Sequence, residues 1–163
     1  MSSITIRVAN ESDIDELVLL MRAYCDSSDE PHVAKPSSES LLTLCRTIVA
    51  NPKDEGVYLV ARQSINDNHH VMIGFASLFW SWTFLPYPGR QALINDLYVT
   101  PAVRGLGVAG SLIRACEDQA RQRGDIKSII WQTALENVSA QKVYERLGII
   151  PSKCVDYEID LLK

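Results

Sequence analysis

The hydrophobic and polar residues of the chain follow two periods, and each period predicts one kind of element. Alternation of apolar and polar residues is typical of a half-buried strand, whereas apolar residues three and four positions apart are typical of an amphipathic helix. Strands are predicted at residues 4–8, 57–61, 71–82, 91–99, 128–133 and 154–161. Helices are predicted after Asn10 or Ser12, from Ser37 or Ser38 to just before Pro52, and at 108–123 and 137–147. The order β-α-α-β-β-β-α-β-α-β therefore predicts an α/β fold, with helices on both faces of a mixed sheet.

Apolar stripes on the first three predicted helices identify candidate core residues. They consist of Ile14, Leu17, Val18 and Met21 in the first helix, Leu41, Leu42, Leu44, Cys45 and Ile48 in the second, and Val108, Leu112, Cys116 and Ala120 in the third. Gly124 follows the third stripe and is expected to end that helix, because glycine readily adopts the left-handed conformation common at helix C-termini. A polar turn at 66–68 predicts that strands 57–61 and 71–82 form a hairpin.

Composition limits the classes of protein that remain. The chain has 163 residues, 47% of them hydrophobic and 22% charged, which is typical of a globular protein and predicts a single domain over 1–163. We expect no membrane partner, because no run approaches 18 apolar residues and the N-terminus lacks the apolar core of a signal peptide. A net charge of −4 without a basic run argues against nucleic-acid binding. The four cysteines form no CxxC pair, and His69-His70 has no third partner at ligand spacing, so we expect no metal and a reducing, cytoplasmic location.

A glycine-rich segment, 104–109, stands between the strand at 91–99 and the third helix. Glycines let backbone N–H groups approach an anion, and the first turn of a helix has unpaired donors, so the segment predicts a pyrophosphate site. The spacing Gly105-x-Gly107-x-x-Gly110 also matches a dinucleotide fingerprint. That alternative is disfavoured because residues 100–104 separate the strand from the glycines, and because the next strand ends in Thr133-Ala134 instead of an acidic residue.

Three segments together resemble the GCN5-related N-acetyltransferase family, and within it most closely the small histone/polyamine acetyltransferase group. They are the strand Ile-Asn-Asp-Leu-Tyr-Val at 94–99, the loop Arg104-x-x-Gly107-x-Ala109, and Asn137-x-x-Ala140-x-x-x-Tyr144-x-x-x-Gly148. The element order matches this fold from residue 4 to 161. The resemblance implies a mixed, mostly antiparallel central sheet flanked by helices, and a splay between the strands that bind acetyl-CoA.

The same resemblance implies which residues bind acetyl-CoA as cosubstrate. They are Leu97, Tyr98, Val99, Arg104, Gly105, Leu106, Gly107, Val108, Ala109, Asn137 and Ala140. In the family, backbone groups of the splayed strand pair with pantetheine, one of their N–H groups polarises the acetyl carbonyl, and the glycine loop holds the diphosphate. Independently, Asn137, Ala140 and Tyr144 lie at i, i+3 and i+7, so they share one face of a helix and leave a groove at the small alanine.

Two residues are candidates for catalysis. By resemblance, Tyr144 is the general acid that protonates the departing CoA thiolate; the alternative is that it only packs against the sheet. An alkylammonium has a pKa of ~10.4, so its deprotonation at pH 7 costs roughly 4.6 kcal/mol and calls for a base. Asp96 is the candidate base because it lies next to the reacting strand, although it equally fits a role in fixing that strand.

The predicted activity is transfer of an acetyl group to a primary amine of a small molecule, polyamine or basic peptide, by direct attack in a ternary complex. Other acceptors in view are an amino acid, an antibiotic or a protein N-terminus, and a different class is a non-catalytic acyl-CoA-binding module. Polyamine acetyltransferases often read Glu-Asp where this chain has Asn95-Asp96, which puts that acceptor in question. Further candidates for the acceptor site are Asp26, Asp29, Glu30, Trp80, Trp82 and Phe84. The aromatic residues fit a homodimer interface equally well.

Overall fold

The computed structural model describes residues 3–27, 35–66, 69–82 and 89–154, together with positions 157, 159 and 161. Five strands lie in this part of the chain: β1 (Ile4–Val8), β2 (Gly56–Asn66), β3 (His69–Trp82), β4 (Arg90–Val99) and β5 (Ile126–Ile130). Its α-helices are α1 (Ile14–Asp26), α2 (Ser38–Ala50), α3 (Val108–Arg123) and α4 (Val138–Arg146). The chain forms two compact units, Met1–Gln132 and Thr133–Lys163, so the prediction of a single domain stays a prediction.

The five strands form one sheet in the order β1-β2-β3-β4-β5. The first three pairings are antiparallel, and only β4 and β5 run parallel. The β2–β3 pairing confirms the predicted hairpin, although β3 begins at His69 instead of residue 71, so the strand includes both histidines. The predicted mixed, mostly antiparallel sheet is therefore confirmed.

Two hydrophobic cores lie on opposite faces of the sheet. One contains the α3 stripe Val108, Leu112, Cys116 and Ala120. The other contains Leu17 and Met21 of α1 together with Leu41, Cys45 and Ile48 of α2. These stripes are buried because a helix packs its apolar face on a sheet and leaves its polar face in water.

A buried carboxylate ties β1 and β2 to the start of the first helix. Asp13 is 2% exposed, and it accepts two hydrogen bonds from Arg7, at 2.6 and 2.8 Å, and one from Arg62 at 3.1 Å. It also accepts the N–H of Asn10. Asn10, one of the two predicted caps of the first helix, caps the 3-10 helix Glu11–Asp13 that precedes α1, and Asp13 is the N-cap of α1 itself. Burial by itself raises the pKa of Asp13, but the Arg7 and Asn10 hydrogen bonds and the nearby arginine charges outweigh it, so the pKa lies below its usual value.

Several predicted boundaries differ from the structure. Strand β5 covers 126–130 instead of 128–133, and β2 continues to Asn66 instead of ending at Ala61. In α2 the predicted stripe included Leu44, which is exposed because it lies off the buried face of Leu41, Cys45 and Ile48. The last predicted strand, 154–161, lies largely outside the described residues.

Candidate active site

A β-bulge in β4 determines which face its side chains occupy. The Cα partners are Leu78 with Ile94 and Ser77 with Asp96, so Asn95 is an extra residue without a partner on β3. Side chains alternate along a strand, and one inserted residue reverses which positions face which side. Ala92 and Ile94 before the bulge and Leu97 and Val99 after it all lie in or against the core under α3. Asp96 consequently shares the other face with Tyr98, which packs in the core under α1 and α2.

Strands β4 and β5 part after a short pairing. Their parallel register links Arg90 with Ile126 and Leu93 with Ile130, where β5 ends. Beyond Leu93, β4 continues to Val99, paired on its other edge with β3. In the described part of the chain the β5-side edge of residues 94–99 thus lacks a strand partner, as the predicted splay requires. Such an edge offers backbone donors and acceptors to an extended ligand.

The glycine loop adopts the backbone conformation that an anion site needs. Gly105 and Gly107 have φ of 83° and 81°, a region that other residues rarely enter. Helix α3 begins at Val108 with Gly107 as N-cap, and no side chain caps it. The N–H groups of the first helical turn have no intrahelical acceptor by geometry, and they lie at the positive end of the helix dipole. A Cβ built on either glycine meets no atom within 4 Å, so open space lies in front of the loop. These features fit a diphosphate.

Arg104 lies against the end of β4. Its Nε donates to the carbonyl oxygen of Val99 at 3.0 Å, and the guanidinium stands 6.0 Å from the centre of the Tyr98 ring. The side chain therefore joins the end of β4 to the start of the glycine loop. Its predicted contact with a diphosphate stays a prediction.

Asp96 is held by two side chains that were not predicted from the sequence. Ser77 Oγ donates to Asp96 Oδ2 at 2.6 Å and accepts the backbone N–H of Asp96 at 2.9 Å. Asn95 Nδ2 donates to the same Oδ2 at 3.0 Å. Serine in a strand carries no sequence signal for such a contact, because the contact depends on the register between β3 and β4.

Tyr58 of β2, Ser77 of β3 and Asp96 of β4 form a cross-strand row, in which each residue lies opposite the next. Tyr58 is almost completely buried. Burial is the main cause that raises the pKa of Tyr58 far above its usual value, and the charges of Cys45 and Asp96 add to the effect. Tyr58 is therefore a neutral phenol at physiological pH, and it adds no negative charge next to Asp96.

Helix α4 belongs to the second unit and carries the remaining predicted residues. Asn137 is its N-cap, and the Asn137 side chain accepts the N–H of Ala140 at 3.2 Å. Tyr144 lies two turns from this cap and is half-buried. The spacing thus places the three residues along one helix as predicted, and capping explains part of the requirement for asparagine.

Three of the six acceptor candidates lie among the described residues, and their surroundings differ. Asp26 ends α1 and forms an exposed ion pair with Lys35 at 3.2 Å, a contact of little energetic weight. Trp80 is a core residue: its Nε1 donates to the carbonyl of Pro52 at 2.8 Å, and Arg123 stacks over its ring. Trp82 is exposed beneath Arg90. The other three, Asp29, Glu30 and Phe84, lie outside the described residues.

The described residues contain no group of three or more His, Cys, Asp or Glu side chains that could hold a metal ion. No helix among them is long and apolar enough to cross a membrane.

Comparison with known proteins identifies the family. The acetyltransferase (GNAT) family profile matches residues 20–149. An uncharacterized N-acetyltransferase of Bacillus subtilis, YhfO, is 33% identical over 94 residues, which are 58% of either chain. Mouse thialysine N-epsilon-acetyltransferase is 24% identical over 76% of this chain and 71% of its own. Among solved structures, the CoA complex of aminoglycoside N-acetyltransferase AAC(6')-Iy superposes with a TM-score of 0.79 at 21% identity, covering 99% of this chain and 97% of that one.

The chain belongs to the acetyltransferase (GNAT) family. The likeness to this solved structure confirms the predicted fold. Membership of the family confirms the predicted enzyme class, acetyl-CoA-dependent N-acetyltransferase. The finer placement in the small histone/polyamine group rests on the distant thialysine acetyltransferase alone.

Proposed function

We propose that this chain acetylates a primary amine of a small molecule, polyamine or basic peptide by direct attack on acetyl-CoA within a ternary complex. The observation that carries the proposal is the edge of β4 over residues 94–99, which has no strand partner among the described residues and lies next to the glycine loop. Both belong to the first unit, and Arg104 links them through Val99. The edge offers main-chain partners to an extended pantetheine arm, while the loop offers N–H groups to the diphosphate.

In this proposal the chain supplies binding and orientation for the cosubstrate. Backbone groups of 97–99 bind pantetheine, and one of their N–H groups polarises the acetyl carbonyl. Arg104 and the N–H groups of 105–109 bind the diphosphate. Asn137 and Ala140 contact the pantetheine arm from α4. Acetyl-CoA supplies the activated thioester, so the amine attacks it directly without a covalent enzyme intermediate.

Two side chains handle protons. Asp96 accepts the proton that the ammonium of the substrate must lose, directly or through a water molecule. Tyr144 donates a proton to the departing thiolate. The carboxylate also attracts a cationic acceptor, which agrees with the overall net charge of −4.

Acceptor identity and catalysis are tested together. The protein is incubated with acetyl-CoA and spermidine, spermine, lysine, thialysine, a histone-tail peptide or an aminoglycoside, and products are detected by mass. Thialysine and aminoglycosides are included because the names of two similar proteins specify them. An acetylated amine supports the proposal and names the acceptor class. CoA binding without any acetylated amine favours the acyl-CoA-binding module.

Substitutions assign the two proton-transfer roles. We expect Tyr144→Phe and Asp96→Asn each to lower kcat about 10²-fold with CoA affinity unchanged, the usual size of one general acid or base effect. Asp118→Asn on the exposed side of α3 is the matched control for the carboxylate, and it should leave kcat unchanged. A Tyr144→Phe enzyme with full turnover would remove Tyr144 from the mechanism.

Homodimerisation and cytoplasmic location stay predictions. Sedimentation of the purified protein tests homodimerisation.

A further inference from the structure

Ser77 is a buried hydroxyl on the central strand of the sheet. It is 0% exposed, and it stands in register between Tyr58 on β2 and Asp96 on β4. A buried hydroxyl is expensive unless its hydrogen bonds are satisfied, so its partners indicate why it is there. Among the described residues, both hydrogen bonds of this hydroxyl go to Asp96.

These two hydrogen bonds fix the orientation of the carboxylate. A serine hydroxyl carries one hydrogen, which here lies toward Asp96 Oδ2 at 2.6 Å, and its lone pair accepts the backbone N–H of Asp96 at 2.9 Å. The hydroxyl therefore holds both the main chain at the bulge and the side chain that projects from it. Asn95 Nδ2, from the bulged residue itself, adds a second donor to the same oxygen at 3.0 Å.

The two oxygens of Asp96 consequently differ. Oδ2 accepts two hydrogen bonds, whereas Oδ1 accepts none from the described residues. Hydrogen bonds to Oδ2 occupy its lone pairs, so the other oxygen is the one available to a substrate proton. The main-chain bond fixes the position of that oxygen relative to residues 97–99, where the thioester is proposed to lie.

We propose that Ser77 is a positioning residue that orients Asp96 so that Oδ1 accepts the proton of the acceptor amine. The inference rests on the proposed function of Asp96 as base. In the step, the N–H bond of the ammonium breaks, an O–H bond forms at Oδ1, and the nitrogen keeps the electron pair with which it attacks the thioester. Tyr58, a neutral phenol, is the other titratable group in this cross-strand row and does not compete for the proton.

A kinetic double-mutant cycle tests this role. The four proteins are the wild type, Ser77→Ala, Asp96→Asn and the double variant, each measured for kcat at saturating substrate and for CoA affinity. We expect Ser77→Ala to lower kcat about tenfold with CoA affinity unchanged, because a base held loosely is less often in position. In the Asp96→Asn background the same substitution should have no further effect on kcat, since Ser77 acts through the carboxylate. Ser81→Ala, an exposed position on the same strand, is the matched control and should leave kcat unchanged.

Three outcomes overturn the proposal, and they separate it from the proposed function. If Ser77→Ala keeps full kcat, the hydroxyl does not position the base. If it lowers kcat equally with aspartate and with asparagine at position 96, its role is only structural, and the assignment of Asp96 stands. If Asp96→Asn itself is fully active, the proposed base is wrong and the role of Ser77 falls with it. Should Ser77→Ala fold poorly in thermal melts, Ser77→Cys keeps the side-chain size with a weaker donor, and a kcat between those of wild type and Asp96→Asn is expected.

Discussion

Gly107→Ala is expected to weaken CoA binding selectively at the diphosphate. The left-handed conformation, φ of 81° at Gly107, costs a residue with a Cβ roughly 1–2 kcal/mol. A Cβ at this position meets no atom within 4 Å, so backbone strain is the only penalty in the protein itself. The variant must bear this strain whenever the loop holds the diphosphate. The affinity for CoA should therefore fall by about 5- to 30-fold, because 1.4 kcal/mol corresponds to a factor of ten.

Gly124→Ala provides the matched control at the other end of the same helix. Gly124 has φ of 77° and equally open space for a Cβ, so the substitution imposes the same strain without touching the loop. Isothermal titration with CoA and with S-acetylpantetheine, which has no diphosphate, measures both variants. We expect only Gly107→Ala to weaken CoA binding, and neither to weaken S-acetylpantetheine binding. Equal losses for the two ligands, or an equal loss of CoA affinity in Gly124→Ala, would refute the diphosphate site.

Two further predictions concern stability and thiol reactivity. Arg7→Met should lower the free energy of unfolding at pH 7 by about 2 kcal/mol. This is less than the ~3–5 kcal/mol lost when a fully buried ion pair is broken, because Arg62 still binds Asp13 and the Arg7 side chain is 43% exposed. Since folding lowers the pKa of Asp13, the stabilisation from this carboxylate is present above the ordinary carboxyl pKa of about 3.9 and is lost as the pH falls below it. Urea titrations should therefore show the difference in unfolding free energy between the wild type and Arg7→Met shrinking below that pH. A constant difference would contradict the assignment. Burial raises the pKa of Cys45 to about 11 and that of Cys116 to about 12, so alkylation of the native protein at pH 8 should give at most two adducts by mass, against four in denaturant. More than two rapid native adducts would show that these cores open.

Much of the fold could be predicted from the sequence because its helices and strands have clear periods. The α3 stripe, its end at Gly124 and the hairpin of β2 and β3 are confirmed. Boundaries were less accurate where pairing decides them. Strand β5 begins at Ile126 because it pairs with Arg90 of β4, a partner that the local pattern does not reveal.

In the candidate site, too, features that depend on the local sequence could be predicted, whereas features that depend on strand pairing could not. The glycine loop was recognisable because glycine has few other reasons to recur at that spacing, and in the structure Gly105 and Gly107 adopt a left-handed backbone. Ser77 was not, since its role depends on which residue of β4 stands opposite. The bulge at Asn95 was equally invisible, because it exists only relative to the register of β3. Trp80 is a candidate for the acceptor site on sequence grounds, whereas in the structure it packs in the core.

The bulge also means that the strand can lose a residue here without turning its side chains over. Many side chains at Asn95 would leave the register intact, because this residue has no cross-strand partner and is exposed. Deletion of the same position would join Ile94 directly to Asp96, and these two residues already pair with adjacent residues of β3. Simple alternation would therefore keep Asp96 on its present face and Val99 toward the α3 core, whereas deletion of Leu97 would turn Val99 away from that core. In a mutational scan that includes deletions and measures folding, we expect the loss of position 95 to be tolerated far better than the loss of position 97.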